Sequence, residues 1–233
     1  MYPRITADLG KLRYNARFIA DACHAAGIHY AAVTKGVCAS PPIVEALEDI
    51  ADSFADSRLL NLMSMRTRKP KLMLRIGDPA QAEQLIAAAD LSLQSELVTL
   101  QALARAAQAM QRPHKVVLMV DLGDLREGLM YTDRSAILAA ARLIKESSPL
   151  ELHGLGTNLT CFGGILPDEE NLGRLTDIAR WLRRELDLPI PLVSGGNSSS
   201  IGLMLRGGMP RGINHLRIGE AALLNNNTAI GEP

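Results

Sequence analysis

The sequence predicts an α/β fold, a single closed (β/α)8 barrel of the TIM type over residues 1–233. Three observations carry this reading. Short β-rich runs alternate with amphipathic helical stretches along the whole chain, which calls for parallel strands joined by crossover helices. About eight such units fit into the length. A helical stretch also precedes the first of the eight strands, whereas EAALLNNNTAIGEP after the eighth is too short and polar for a full helix. The early helix can therefore complete the outer ring. A doubly wound open sheet is the alternative for the same alternation.

Taken in order, PRITADL (residues 3–9) reads as an opening strand, so residues 1–9 are expected to add a strand outside the eight. A helix follows from about Leu9 to Ala26. HYAAVT (29–34) is the first barrel strand, SFADS (53–57) the second and KLMLRI (71–76) the third. DLSLQS (90–95), KVVLMVDLG (115–123), LHGLGTNL (152–159), IPLVSGG (190–196) and HLRIGEA (215–221) are the fourth to eighth. Helix starts are signalled by Ser40 before Pro41, by Asp78 before Pro79, and by Ser95 ahead of ELVTLQALARAAQAM. Residues 222–233 read as a tail or the start of a linker. The chain shows no internal repeat and no low-complexity tract.

Composition narrows the function classes. With 47% hydrophobic residues the chain can bury a large core, and 25 basic against 25 acidic side chains leave no net charge. That balance gives no electrostatic reason for a nucleic-acid or anionic-membrane partner, so a small molecule is expected. No apolar run approaches the roughly 18 residues of a membrane span, and Met1-Tyr2-Pro3-Arg4 does not open a secretory leader. A cytoplasmic setting is expected. Cys23, Cys38 and Cys161 form no CxxC pair and read as free thiols, and no metal site is expected.

Barrels of this class keep their sites at the C-terminal ends of the strands, and the unusual polar residues gather there. Lys35 ends strand one, Arg75 strand three, and Asn158 strand six. Asp121 and Arg126 follow strand five in DLGDLREG, SGGNSSS (194–200) follows strand seven, and Arg217 and Gly219 end strand eight. Each has a plain alternative: a solvated lysine, Arg126 paired with Glu127 or Asp124, Asn158 capping a turn. Their convergence favours a site. Gly195 and Gly196 allow backbone N–H groups to turn inward, Ser198, Ser199 and Ser200 add hydroxyls, and Gly219 leaves room for close approach. The loops after strands seven and eight are the usual phosphate cradle of the fold. A lysine whose neutral form is favoured by burial and by neighbours such as Arg126 or Arg217 becomes a nucleophile toward an aldehyde. Pyridoxal phosphate combines that aldehyde, a phosphate and an electron-sink ring.

At AAVTKGVCA, MVDLGDLREG, GLGTNLTCFGG, SGGNSSS and LRIGEAALL the sequence resembles the alanine racemase family, in its pyridoxal phosphate-binding barrel domain of fold type III, and most closely the ornithine racemase-like branch. The likeness runs from Tyr2 to about Ala229. It implies an isomerase in which Lys35 is the Schiff-base lysine and the base on one face of the substrate Cα. Arg126, in a D-x-G-x-x-R-x-G pattern, would bond the phenolic oxygen of the cofactor, and Asn158 would lie against its ring. Asn197, Ser198, Ser199 and the Gly219 and Glu220 backbone would hold the phosphate, and Arg217 would face the pyridine nitrogen. Ala39 stands where alanine racemases carry a tyrosine, and Met119 where they often carry a modified lysine, so a small-substrate alanine specificity is not implied. Racemases of the family continue into an all-β domain that supplies the opposite-face base, typically across a homodimer; this sequence stops at Pro233, so it is expected to be either the barrel part of a longer racemase or a free-standing barrel. Cys38, Cys161, Tyr131 and His215 are the in-chain candidates for such a base. A stand-alone pyridoxal phosphate homeostasis protein is the second reading, and a Schiff-base aldolase, whose lysine belongs on a later strand, the third.

Overall fold

The computed structural model describes residues 6–160 and 164–225. Eight strands close into a parallel barrel: β1 (His29–Val33), β2 (Ser53–Asp56), β3 (Lys71–Met73), β4 (Leu91–Gln94), β5 (His114–Asp121), β7 (Leu150–Gly156), β8 (Leu192–Ser194) and β9 (His215–Ile218). Each pairs with its neighbour in that order, and β9 returns to β1 through His29 to His215 and Ala31 to Arg217, so no edge is left. A two-residue strand, β6 (Leu129–Met130), lies beside the end of β5 and outside the ring. All eight expected barrel strands form, and the open-sheet alternative is excluded by the β9–β1 pairing.

The strands are apolar on both faces because both are covered. Ala31, Ala55, Leu72, Leu91, Leu93, Val117 and Met119 form one cluster that fills the barrel interior. Their alternate neighbours, such as Tyr30, Phe54, Val116, Leu118 and Leu216, belong to the larger cluster between sheet and helices. The helices of that shell are α1 (Leu9–Ala25), α2 (Pro41–Leu47), α3 (Leu59–Ser64), α4 (Ala82–Ala88), α5 (Leu97–Met110), α6 (Arg134–Glu146), α7 (Glu169–Leu186), α8 (Ile201–Leu205) and α9 (Glu220–Leu224). Helix α1 packs against α2, α9 and β1, which is the ring position that five-residue α9 cannot fill alone. An ion-pair clip holds it there: Arg13 grips Asp49 at 2.8 Å and the Ala46 carbonyl at 2.6 Å, both at the end of α2.

Local signals explain most boundaries. Asp8 caps α1 by accepting from the Lys11 N–H, and Asp168 with Asn171 forms a reciprocal capping box on α7. Three expectations are corrected. Thr6 to Asp8 form no strand, because Asp8 is already committed as a helix cap; residues 1–5 lie outside the described residues. Ser95 does not cap α5, whose cap position is Glu96. Residues 222–224 belong to α9 rather than to a tail. Among the described residues, no helix is long and apolar enough to cross a membrane.

Candidate active site at the C-terminal mouth of the barrel

The C-terminal ends of the strands open into a cavity of about 960 Å3. Lys35, Arg126, Asn158, Asn197, Ser198, Arg217, Gly219 and Glu220 all line it, and Arg75 joins them. Residues spread over 185 positions of chain are thus brought to one mouth by parallel strands that all end there.

Lys35 opens a single 3-10 turn, Lys35–Val37, immediately after β1. The residue before it is anchored. Thr34 is buried, its N–H donates to the Ala55 carbonyl (3.0 Å), and its hydroxyl donates to Asp56 Oδ2 (2.8 Å). Asp56, also buried, accepts at Oδ1 from the Arg58 N–H (3.0 Å) and the Asn61 amide (2.9 Å). The lysine therefore stands on a backbone tied to β2 and α3, while its own side chain is exposed toward the cavity. This corrects the expectation of a buried lysine: the strand ends at Val33 and the turn swings residue 35 outward, leaving Thr34 in the buried place.

After β5 the chain makes a tight return. Asp121 Oδ1 accepts from the Gly123 N–H (2.8 Å) and the Leu125 N–H (3.2 Å), and Gly128 passes so close that a Cβ there would lie 2.6 Å from the Asp121 nitrogen. Gly128 also has φ +123°, where side-chain-bearing residues are strained. The return holds Arg126 and Glu127 at its tip, and they pair at 2.8 Å (Nε to Oε2). Asp124 is engaged elsewhere, accepting from the Thr160 and Ile165 N–H groups.

Asn158, at the end of β7, joins the two arginines rather than capping a turn. Its Nδ2 donates to Glu127 Oε1, and its Oδ1 accepts from Arg217 NH2 at 2.7 Å. Arg217 is buried on β9; it also donates to the Thr157 carbonyl (2.6 Å) and to the Ser194 hydroxyl. Burial away from water lowers its affinity for the proton, to a pKa of about 10, opposed by Glu127 and assisted by Arg126. At pH 7 it stays a cation.

The third wall is built by the loops after β8 and β9. Gly196 adopts φ +110°, and Asn197 follows as the cap of the 3-10 turn Ser198–Ser200, accepting from the Ser199 N–H (2.9 Å) and donating to the Leu159 carbonyl (3.1 Å). Ser198 Oγ accepts from the Ala221 N–H at 3.3 Å, which ties this turn to the first turn of α9. Gly219 sits where a Cβ would be 2.9 Å from Val33 Cβ, so the start of α9 is pressed onto the end of β1 beside Lys35. Of the nine residues expected to hold the cofactor, Ser199 lies outside the lining: it is buried and its hydroxyl donates to the Leu159 carbonyl (3.2 Å), while Asp121, Gly195, Gly196 and Ser200 shape the loops behind the lining.

The candidates for a second base are placed elsewhere. Cys38 is an exposed thiol outside the lining, and Tyr131 lies under Arg174, whose guanidinium is 5.0 Å from its ring. His215 is buried at the opposite end of β9, with Nδ1 2.7 Å from Ser194 Oγ. Cys161 lies outside the described residues. Two contributors were not singled out from sequence as site residues. Glu127 had a signal, a carboxylate directly after Arg126, the one cation of the DLGDLREG run; Ser194 had none, because a serine ending a buried strand is common.

The arrangement offers a primary amine open to a cavity that is also lined by a hydroxyl, by backbone at the start of α9 for an anion, and by a buried cation. This donor set suits an aldehyde that carries a phosphate. The family model described as alanine racemase, N-terminal domain, matches residues 7–226. The chain is 46% identical to the ornithine racemase of Acetoanaerobium sticklandii over 234 residues, all of this chain and 66% of that protein. It is 30% identical to the lysine racemase of Thermotoga maritima over 228 residues, 96% of this chain and 63% of that one. The chain thus spans about two thirds of the length of these relatives. Among solved structures, the alanine racemase of Streptomyces lavendulae superposes with TM-score 0.76 at 18% identity, over 94% of this chain and 58% of that one. PipY of Synechococcus elongatus superposes with TM-score 0.69 at 18% identity, over 88% of this chain and 99% of that one. At those identities the two structures speak for the fold alone. A family match over nearly the whole chain, a closed parallel barrel and a lysine at the mouth after its first strand agree: the chain belongs to the alanine racemase family, through its N-terminal domain.

Proposed function

We propose that this chain is the cofactor-binding barrel of a pyridoxal phosphate-dependent racemase for a basic amino acid of the ornithine or lysine type. The observation that carries the reading is Lys35, whose amine opens onto the same cavity as Ser198, the start of α9 and Arg217. The substrate class is supported by the two racemases of 46% and 30% identity. When bound, the cofactor supplies a ring that withdraws electrons from the substrate Cα. Lys35 would hold the cofactor and move the proton at Cα on one face. Ser198 and the Gly219–Glu220 backbone would donate to the phosphate, Asn197 fixes the turn that presents Ser198, and Arg126 would hold the phenolic oxygen. Arg217, a cation at neutral pH, would be the group toward the pyridine nitrogen and would disfavour a proton there.

Racemisation also needs a proton delivered to the opposite face. Among the described residues, Cys38, Tyr131 and His215 do not line the cavity. We assign the second base to a further domain across a cytoplasmic homodimer, with Cys161, which lies outside the described residues, as the in-chain alternative. The same observation favours a second reading, a pyridoxal phosphate-binding protein without efficient racemisation.

The test is to add pyridoxal phosphate to the 233-residue chain, record the absorbance near the visible edge, and follow ornithine and lysine by chiral chromatography. The wild type is expected to gain the band and Lys35→Ala to lose it with an unchanged circular dichroism spectrum. Without a positioned partner base, racemisation is expected to be slower than in a longer protein by about 10²- to 10⁴-fold. A band that survives in Lys35→Ala overturns the assignment of that lysine, and full activity from residues 1–233 overturns the external base.

A further inference from the structure

Arg217 is anchored on two sides, and the second anchor runs through the barrel core away from the cavity. Ser194 and His215 are register partners on β8 and β9. They and Arg217 are almost wholly removed from solvent, at 0%, 4% and 3% exposure. Arg217 NH1 donates to Ser194 Oγ, and Ser194 Oγ lies 2.7 Å from His215 Nδ1.

The direction of every bond in this chain follows from the guanidinium. Arginine has donors and no acceptor, so the serine oxygen must receive. Among the described residues, the other partner of that hydroxyl is His215 Nδ1. A proton on Nδ1 would give the serine oxygen two donors and strand its own hydrogen in a buried site. The hydroxyl therefore donates to Nδ1, and the ring proton resides on Nε2.

We infer that His215 and Ser194 are positioning residues for Arg217, with His215 held as the neutral imidazole protonated at Nε2 so that the serine hydroxyl presents only its oxygen to the guanidinium. A hydroxyl whose proton is drawn toward a nitrogen is the stronger acceptor. The pair gives the buried cation a neutral anchor on the core side, while the Thr157 carbonyl and Asn158 Oδ1 hold it on the mouth side. Protonating the ring would break the polarity and set a second cation beside Arg217. The charged and titratable groups that face His215, namely Arg217, His29 and His153, all oppose that, after burial itself, and hold its pKa down to about 3. The consequence for the cofactor rests on the proposed place of Arg217 at the ring nitrogen; the bond polarity does not.

Long-range 1H–15N correlation on the cofactor-free protein reads the tautomer directly. His215 is expected to show an Nε2 proton and no titration from pH 5 to 8. An Nδ1 proton, or a titration in that range, overturns the inference. Pyridoxal phosphate affinity then tests the positioning role. Ser194→Ala and His215→Leu are each expected to raise Kd about tenfold, Ser194→Thr to stay within about threefold, and the double variant to be no weaker than either single one, because the groups act as one chain. Additive losses in the double variant would overturn the role. Absence of pyridoxal phosphate binding by the wild type would instead remove the proposed function and, with it, the positioning role, while the tautomer measurement still decides the polarity.

Discussion

Ser198 and Ser199 are neighbours in sequence and have opposite assignments in space. Ser198 lines the cavity and meets α9 through the Ala221 N–H, whereas Ser199 spends its hydroxyl on the Leu159 carbonyl. A charge-assisted hydrogen bond to phosphate is worth roughly 1.5 to 3 kcal/mol. Ser198→Ala is therefore expected to weaken pyridoxal phosphate binding about tenfold or more, with little effect on pyridoxal, which has no phosphate. Ser199→Ala is expected to lower the melting temperature and change affinity much less. Isothermal titration of both ligands against both variants checks this, and equal losses for Ser198 and Ser199 would place both on the ligand. Which serine of three faces a ligand is set by one turn of 3-10 geometry, so a hydroxyl run in sequence could not distinguish them.

The return after β5 shows how an element presents side chains it does not itself contain. β5, β6 and the Asp121 turn hold Arg126 and Glu127 at the tip, and Gly128 permits the close pass. Gly128→Ala brings both strain at φ +123° and a Cβ at 2.6 Å from backbone, and backbone cannot yield as a flexible side chain does. A loss of about 1 to 3 kcal/mol is expected in denaturant unfolding, together with weaker cofactor binding, since Arg126, Glu127 and through it Asn158 shift together. Unchanged affinity in a destabilised variant would show that the tip is not part of the site. At this scale the sequence read well: eight strands and α1 were legible because covered parallel strands are short apolar runs and α1 has helical period and a cap. The expected opening strand does not run through Thr6–Asp8, because Asp8 serves as a helix cap instead.

Over the whole molecule, two buried neutral histidines couple stability to pH. Burial, then the charge of Arg112, lowers the pKa of His114 to about 4, and burial with Arg217 lowers that of His215 to about 3. Unfolded, each would titrate near 6.5. Between that value and the folded pKa the unfolded chain binds more protons, so the stabilisation is full above pH 6.5 and is lost as pH falls, down to about 4 for His114 and about 3 for His215. Each proton contributes a slope of about 1.4 kcal/mol per pH unit, and uptake on unfolding is expected to approach two protons near pH 5 from these groups. Calorimetry in buffers of different ionisation enthalpy measures it; stability flat from pH 7.5 to 5 would contradict the burial of both rings as neutral groups. The sequence by itself determined the closed barrel, the end of the barrel where the cavity opens, and a set of nine candidate residues of which eight line that cavity, because strand period and the parallel rule send every strand end to one mouth. Only the tertiary structure decided that Lys35 is open while Thr34 is buried, that Glu127 and Asn158 link the two arginines, and that Ser194 and His215 anchor Arg217. Those are contacts between residues tens of positions apart, and their partners are fixed by barrel register and loop geometry that no local pattern encodes.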